Sequence, residues 1–145
     1  MRDAVDIAMY VVNLCTLNGT PVSNLQLQKI LYYIQINFFR RMGNAAFNNK
    51  IEAWKYGPVV PDVYDEFGRY GAAKICKLYG GLDWIFSDEE RTLIERVVNA
   101  CTSISPWELV DKSHRVGGPW EMVYQEGRKN EIPVTLIRKY ALQGA

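Results

Sequence analysis

The chain has 145 residues, of which 48% are hydrophobic, 23% charged and 12% aromatic. These values are typical of a single soluble domain with its own core, and they exclude a disordered chain, which would be poor in aromatic residues. Lys and Arg number 17 and Asp and Glu number 16, so the formal net charge is only +1. Proteins that hold nucleic acid through its phosphates usually carry a clear positive excess, so the charge balance argues against nucleic acid as the main partner.

The cysteines and the N-terminus indicate the compartment. The three cysteines are far apart and form no C-x-x-C pair, which excludes a zinc ribbon and a thioredoxin-like redox motif. Such a sparse, odd-numbered set is typical of a reducing interior. Asp3 and Asp6 interrupt any secretory signal, and the longest apolar run, residues 7–12, is far shorter than the roughly 20 residues of a membrane span. We expect a cytoplasmic protein without a membrane partner.

Helical periodicity predicts two helices in the first third of the chain. Apolar residues at helical spacing predict a helix over residues 3–18. Ser23 and Gln26 have the spacing of a capping box and predict a second helix over about residues 23–42, which ends at Gly43. The second helix is apolar on more than one face, and such a helix is usually central, with neighbours on several sides.

The next segment changes from a helical to an extended pattern. Residues 51–56 are short, aromatic and loosely alternating, which predicts a strand that Gly57-Pro58 ends. Pro61 then begins a predicted helix whose apolar face reaches Tyr70. Residues 72–86 have no clear pattern, and one interpretation is a second short strand near residues 82–85.

The second half of the chain is predicted to contain four more helices. Capping boxes at Ser87 and Ser105 open two of them, the second running from Pro106 to about His114. A short amphipathic helix follows over residues 120–125, and Pro133 begins the last one. The predicted fold is mainly α, a compact single-domain helical bundle around the central helix (about 23–42) with a small β element near 51–56.

The groups available for catalysis are few. His114 is the only histidine, and the adjacent Ser113 would not face it on a helix. No His, Cys or acidic residues have the spacing of a known metal motif, and residues 117–119 lack the Lys and Ser/Thr of a phosphate-binding loop. We expect no enzymatic activity, no metal and no cofactor, and interpret His114 as a polar anchor. A hydrolase that uses His114 remains a lesser alternative.

Two binding interpretations remain. Three basic pairs lie near predicted helix ends, at residues 40–41, 128–129 and 138–139, where compensation of the helix dipole explains them. Together with the many aromatics, they keep a nucleic-acid-binding regulator as the alternative function.

Residues 52–61 favour protein recognition instead. They combine Trp54 and Tyr56 with a stiff Gly57-Pro58 corner, because a residue before proline is restricted to extended conformations. Rigidly held Tyr and Trp provide contact area at a small cost in conformational entropy. An edge strand that packs Trp54 on the central helix explains the segment equally well, and the two interpretations are compatible.

Several unusual segments occur together in this chain. They are LQKILYY at residues 27–33, IEAWKYGPVVP at residues 51–61, Val63-Tyr64, Tyr70-Gly71, Ser113-His114 and Pro119-Trp120. Together they resemble the Panacea domain of SocA-like antitoxins, a family that includes phage-associated GepA-like proteins. The resemblance covers residues 1–145 as a single domain. Ser113 stands where the family usually has Thr, a change that keeps the hydroxyl.

The resemblance implies a bacterial, phage or prophage protein that neutralises a cognate toxin, encoded beside it, by direct contact. In at least one branch of the family, the antitoxin hands its toxin to an ATP-dependent protease. The residues that we expect to bind the partner are Tyr56, Gly57, Pro58 and Val59, with Trp54 and Tyr32 as a supporting layer. We expect His114 and Trp120 to act as structural anchors between the C-terminal helices and the core.

Overall fold

A 19-residue helix, α2 (Asn24–Met42), forms the centre of the fold in a computed structural model that describes residues 2–82 and 84–143. Its predicted capping box is present, because Ser23 Oγ accepts a hydrogen bond from the backbone N–H of Gln26 and Gln26 Oε1 accepts one from the N–H of Ser23. Gly43 ends the helix with φ +74°, a left-handed conformation that glycine adopts at little cost. The predicted bounds of the central helix are confirmed.

Other elements cover α2 on several sides, as its two apolar faces predict. The helices packed on it include those at both ends of the chain. The remaining helices are α1 (Ala4–Leu17), α3 (Pro61–Glu66), α4 (Asp88–Thr102), α5 (Pro106–Ser113), α6 (Pro119–Val123) and α7 (Val134–Gln143). The mainly α prediction is therefore confirmed. The helix that was predicted to extend from Pro61 to Tyr70 ends earlier, at Glu66. Tyr70 lies instead in a separate 3-10 turn, Gly68–Tyr70.

The strands form two small antiparallel sheets. A two-stranded sheet pairs β1 (Val22–Ser23) with β4 (Lys74–Ile75). A three-stranded sheet has the order β3-β2-β5, in which β2 (Ile51–Trp54) is flanked by β3 (Gly57–Val59) and β5 (Asn130–Ile132). In the β2–β3 hairpin, Trp54 lies opposite Gly57, so the connecting turn consists of Lys55 and Tyr56.

Two predictions about strands are wrong. Gly57-Pro58 does not end the β element but begins the second strand of the hairpin. Proline is tolerated there because β3 is at the edge of its sheet, where a missing N–H breaks no pairing. The second wrong prediction is the short strand near residues 82–85. No strand contains Leu82, Trp84 or Ile85, and Asp83 lies outside the described residues. The strand in this region is β4, which lies earlier in the chain.

No helix within residues 2–82 and 84–143 is long and apolar enough to cross a membrane.

We expect the core around α2 to dominate stability. Leu27→Ala should lower the free energy of unfolding by about 2–5 kcal/mol, because Leu27 is fully buried and its truncation leaves a cavity. Leu17→Ala is the matched control: Leu17 is 71% exposed, and its truncation should change stability by less than about 0.5 kcal/mol. Urea unfolding followed by circular dichroism measures both. Equal effects of the two substitutions would contradict the burial of α2.

Candidate functional site

A groove of about 480 Å³ lies where the hairpin meets the start of α2. Its walls come from five parts of the chain: the first turns of α2, the hairpin, α3, residues 71–72 and α5. Tyr56 and Trp107 are 48% and 59% exposed, and their rings meet edge to face with centroids 5.7 Å apart. This volume is within the range of about 300–1,000 Å³ usual for ligand sites, so the groove is the candidate binding site.

The residues predicted to bind a partner divide into two groups. Trp54, Tyr56 and Val59 line the groove, and Gly57 and Pro58 are buried in the strand between them. Tyr32 lies elsewhere in the core, only 2% exposed, with its ring edge to face with Tyr33 at 5.3 Å. Burial raises the pKa of the Tyr32 hydroxyl well above its usual range. Any support that Tyr32 lends to the groove therefore passes through the core.

Sequence reasoning missed Lys29, which forms part of the groove wall. Lys29 is fully buried, and its Nζ donates a hydrogen bond to the carbonyl oxygen of Pro58 at 2.9 Å. Burial lowers the pKa of its ammonium group to about 7. No carboxylate of the described residues forms an ion pair with it. The sequence did contain a signal for a buried lysine, because Lys29 is a charged residue in a helix that is apolar on two faces.

Sequence reasoning also missed Trp107. It follows Pro106 at the start of α5, and its ring reaches the exposed side of the hairpin turn. A large apolar side chain at the second position of a helix was the available signal, since the capping pattern places this position at the protein surface. Trp107 therefore joins Tyr56 as an exposed aromatic of the groove.

Gly57 allows the hairpin to lie directly on α2. Its φ is +120°, a conformation that residues with a side chain rarely adopt. A Cβ at this position would lie 2.4 Å from Lys29 Cε and 2.7 Å from Ser113 Oγ. The Lys29 side chain thus passes so close to the strand that only glycine fits.

A chain of buried amide side chains holds the other end of β3. Gln28 Oε1 accepts a hydrogen bond from the backbone N–H of Val60 at 2.9 Å. Gln28 Nε2 donates to Asn24 Oδ1 at 2.9 Å, and Asn24 Nδ2 donates to the carbonyl oxygen of Tyr64 at 3.2 Å. Because these polar groups are buried and paired with one another, they fix the direction in which the hairpin continues into α3.

Trp120 of α6 and His114 at the end of α5 also hold the hairpin. Trp120 Nε1 donates a hydrogen bond to the carbonyl oxygen of Trp54 at 2.7 Å, and the His114 ring stacks on Trp120 with centroids 3.6 Å apart. Burial and, second, the charge of Lys29 lower the pKa of His114. Its Nε2 is buried with no hydrogen-bond partner among the described residues. Ser113 Oγ donates instead to the Val110 carbonyl oxygen, at 2.7 Å.

The structure also places the other candidate metal ligands and the basic pairs of the sequence. In residues 2–82 and 84–143, no group of three or more His, Cys, Asp or Glu side chains could hold a metal ion. Of the basic pairs, Arg40 donates a hydrogen bond to the Ala141 carbonyl oxygen, and Lys129 Nζ lies 4.1 Å from the centre of the Trp54 ring. These two cations are therefore engaged within the protein.

Comparison with known proteins identifies the family of the chain. The family model for the antitoxin SocA-like, Panacea domain matches residues 27–121, a range that contains the hairpin, α5 and Trp120. The chain belongs to the SocA-like antitoxin family. It is 35% identical over 131 residues to Antitoxin SocA of Caulobacter vibrioides (strain NA1000 / CB15N), an alignment that covers 83% of this chain and 70% of that protein. No solved structure matches the chain.

The contact at Gly57 predicts a large effect of adding one methyl group. Gly57→Ala should lower the free energy of unfolding by roughly 2–6 kcal/mol, combining about 1–3 from the strained backbone with about 1–3 from overpacking on Lys29. Gly68→Ala is the matched control, because a Cβ at Gly68 meets no atom within 4 Å. Thermal and urea unfolding compare the two variants, and a Gly57→Ala protein as stable as the control would refute the close approach.

The burial of Lys29 predicts a specific dependence of stability on pH. The folded pKa of about 7 lies below the unfolded value, about 10.5, so above pH 7 the unfolded chain binds more protons and stability rises with pH. Lys29→Met should remove up to about 1.4 kcal/mol per pH unit of this rise between about pH 7 and 8.5. The exposed Lys139→Met should keep the full slope.

Urea unfolding at several pH values gives these slopes. The buried thiols of Cys15 and Cys101, whose pKa burial raises to about 11 and about 12, titrate at about pH 8.5 in the unfolded chain and lower the slope equally in all three proteins. The contribution of Lys29 is therefore taken from the difference between the slopes. The same slope in the wild type and in Lys29→Met would show that Lys29 keeps its charge in the folded protein.

Proposed function

We propose that this protein neutralises a cognate toxin by binding it directly, and that the toxin contacts the groove between the hairpin and α5. The observation that carries the proposal is the exposed aromatic pair formed by Tyr56 in the hairpin turn and Trp107 at the start of α5. Hydrogen bonds from Lys29 of α2 and Trp120 of α6 hold the backbone of the hairpin. Membership in the SocA-like family and the similarity to Antitoxin SocA support an antitoxin role.

The rigidity of the hairpin suits recognition of a folded protein. Lys29 binds the Pro58 carbonyl, Gln28 binds the Val60 N–H, and Trp120 binds the Trp54 carbonyl. A surface already held in its binding conformation loses little entropy when the partner arrives, so more of the contact energy appears as affinity. Tyr and Trp are also enriched among the residues that contribute most to protein interfaces. Trp54 and Val59 form the wall beneath these two aromatics.

The consequence of binding for the toxin is a separate question. The family resemblance includes delivery of a toxin to an ATP-dependent protease, and we propose the bacterial cytoplasm as the place of action. Measuring the toxin's half-life in cells, with and without this protein and the protease, distinguishes two mechanisms. A shortened, protease-dependent half-life indicates delivery, and full protection at an unchanged half-life indicates that binding alone blocks the toxin.

The direct test uses the product of the adjacent gene as the candidate toxin. Co-expression with this protein should keep host cells alive, and purified proteins should form a complex. If cells die equally with and without this protein, the proposal fails for that partner.

Substitutions then test the contact surface. Tyr56→Ala and Trp107→Ala should each weaken toxin binding by about tenfold or more, because truncating a central aromatic commonly costs at least about 2 kcal/mol. Trp84→Ala is the matched control: Trp84 is 81% exposed and does not line the groove. Calorimetry measures the affinities, and circular dichroism checks that each variant folds. Unchanged affinity in both groove variants would place the interface elsewhere.

A further inference from the structure

The charges in the groove are all of one sign. Its lining residues include two lysines, Lys29 at the base and Lys55 in the hairpin turn, and no Asp or Glu. The rest of the lining is aromatic, apolar or uncharged polar. Some cations elsewhere in the described chain do pair with carboxylates: Arg2 pairs with Glu90 at 2.9 Å and Lys50 with Glu52 at 3.2 Å.

The ammonium group of Lys29 has no carboxylate partner among the described residues. It is buried beneath the groove surface, where the hydrogen bond found for Nζ goes to the Pro58 carbonyl, so it acts on a ligand through its charge rather than by direct contact. A charge held away from water acts on neighbouring charges more strongly than an exposed one, because less solvent screens it. An anion that enters this groove therefore meets an attraction that the protein's own carboxylates do not satisfy.

We propose that the groove accepts an acidic side chain, Asp or Glu, carried on a segment of the partner protein with apolar neighbours. This inference rests on the proposed function and specifies the chemistry of the toxin surface that is recognised. The acid lies over the base of the groove at Lys29, within reach of Lys55, and the apolar neighbours contact Tyr56 and Trp107.

The aromatic surroundings favour a side chain within a segment over a free chain terminus. Tyr56 of the hairpin turn, Tyr64 of α3 and Trp107 of α5 bring aromatic surface to the groove from three different elements. A segment that continues on both sides of its acid can contact all of them, whereas a terminus places residues on one side only. Opposite charges at an interface also select the correct partner and fix its register.

Selection from a library of random peptides tests this chemistry without knowledge of the toxin. The full-length protein is immobilised, and displayed peptides that bind it are selected. Peptides are kept if they also bind the Trp84→Ala protein but do not bind the Trp107→Ala protein. We expect the selected peptides to share an Asp or Glu next to an aromatic or branched apolar residue. Selected peptides without an enriched acid, or the absence of any peptide that depends on Trp107, would overturn the inference.

A comparison of acid and amide peptides then assigns the acid to Lys29. The best peptide is synthesised with an amidated C-terminus, in its acidic form and with Asn or Gln in place of the acid. In the wild-type protein, the acidic form should bind about tenfold more tightly. Lys29→Met should remove most of this preference, Lys55→Met should reduce it, and the exposed Lys139→Met should leave it unchanged.

Three outcomes contradict the assignment. The same acid-to-amide ratio in the wild type, Lys29→Met and Lys55→Met would place the acid outside the groove, and Lys55→Met keeps the test decisive if Lys29→Met fails to fold. Binding that requires a free C-terminal carboxylate would overturn the choice of a side chain. Tighter binding of a single-stranded oligonucleotide than of the acidic peptide would point to nucleic acid instead.

The toxin experiments separate this inference from the proposed function. If co-expression protects cells through Tyr56 but the groove selects no acidic peptides, the function stands and the inference fails. If the groove selects acidic peptides but no toxin is neutralised, the groove chemistry stands and the proposed function fails.

Discussion

The hydrogen bond from Lys29 Nζ to the Pro58 carbonyl is the contact on which the candidate site depends. It joins the middle of the fold to the edge strand of the hairpin, across 29 positions of the chain. Burying an ammonium group is costly, and the lowered pKa of Lys29 is the expression of that cost. Because the Lys29 side chain passes directly beneath β3, the residue above it has no room for a Cβ and is Gly57. Lys29 thus meets two neighbouring residues of β3, Pro58 through a polar contact and Gly57 through a steric constraint.

The same arrangement explains why an exposed loop can serve for recognition. The backbone of the hairpin is held from α2 by Lys29 and Gln28 and from α6 by Trp120. The side chains of the turn remain at the surface, where Tyr56 meets Trp107. The backbone of the hairpin is therefore fixed, while the aromatic side chains of its turn stay accessible to a partner. This combination suits a protein-binding surface, because little conformational entropy is lost on binding. That division supports the proposed toxin-binding role more directly than any single residue does.

Prediction from the sequence was accurate where the signals are local. The capping boxes at Ser23 and Ser87 both form, and the helices that they open begin where predicted. The hairpin was recognised only in its first half, because Pro58 is a usual stop signal, and its tolerance depends on β3 lying at a sheet edge. β4 was not recognised because its two residues are defined by pairing with β1, about 50 positions earlier in the chain.

The sequence by itself determined the central helix, the mainly helical fold and the family, since periodicity, capping and motifs all depend on residues close to one another in the chain. Only the tertiary structure decided which motif residues meet. It brings Lys29 of one motif beneath Gly57 of another, stacks His114 on Trp120, and leaves Tyr32 in the core apart from the groove. The physical reason is distance along the chain. The bond from Trp120 to Trp54 spans 66 positions, and no local pattern records a contact that forms only when the helices have packed.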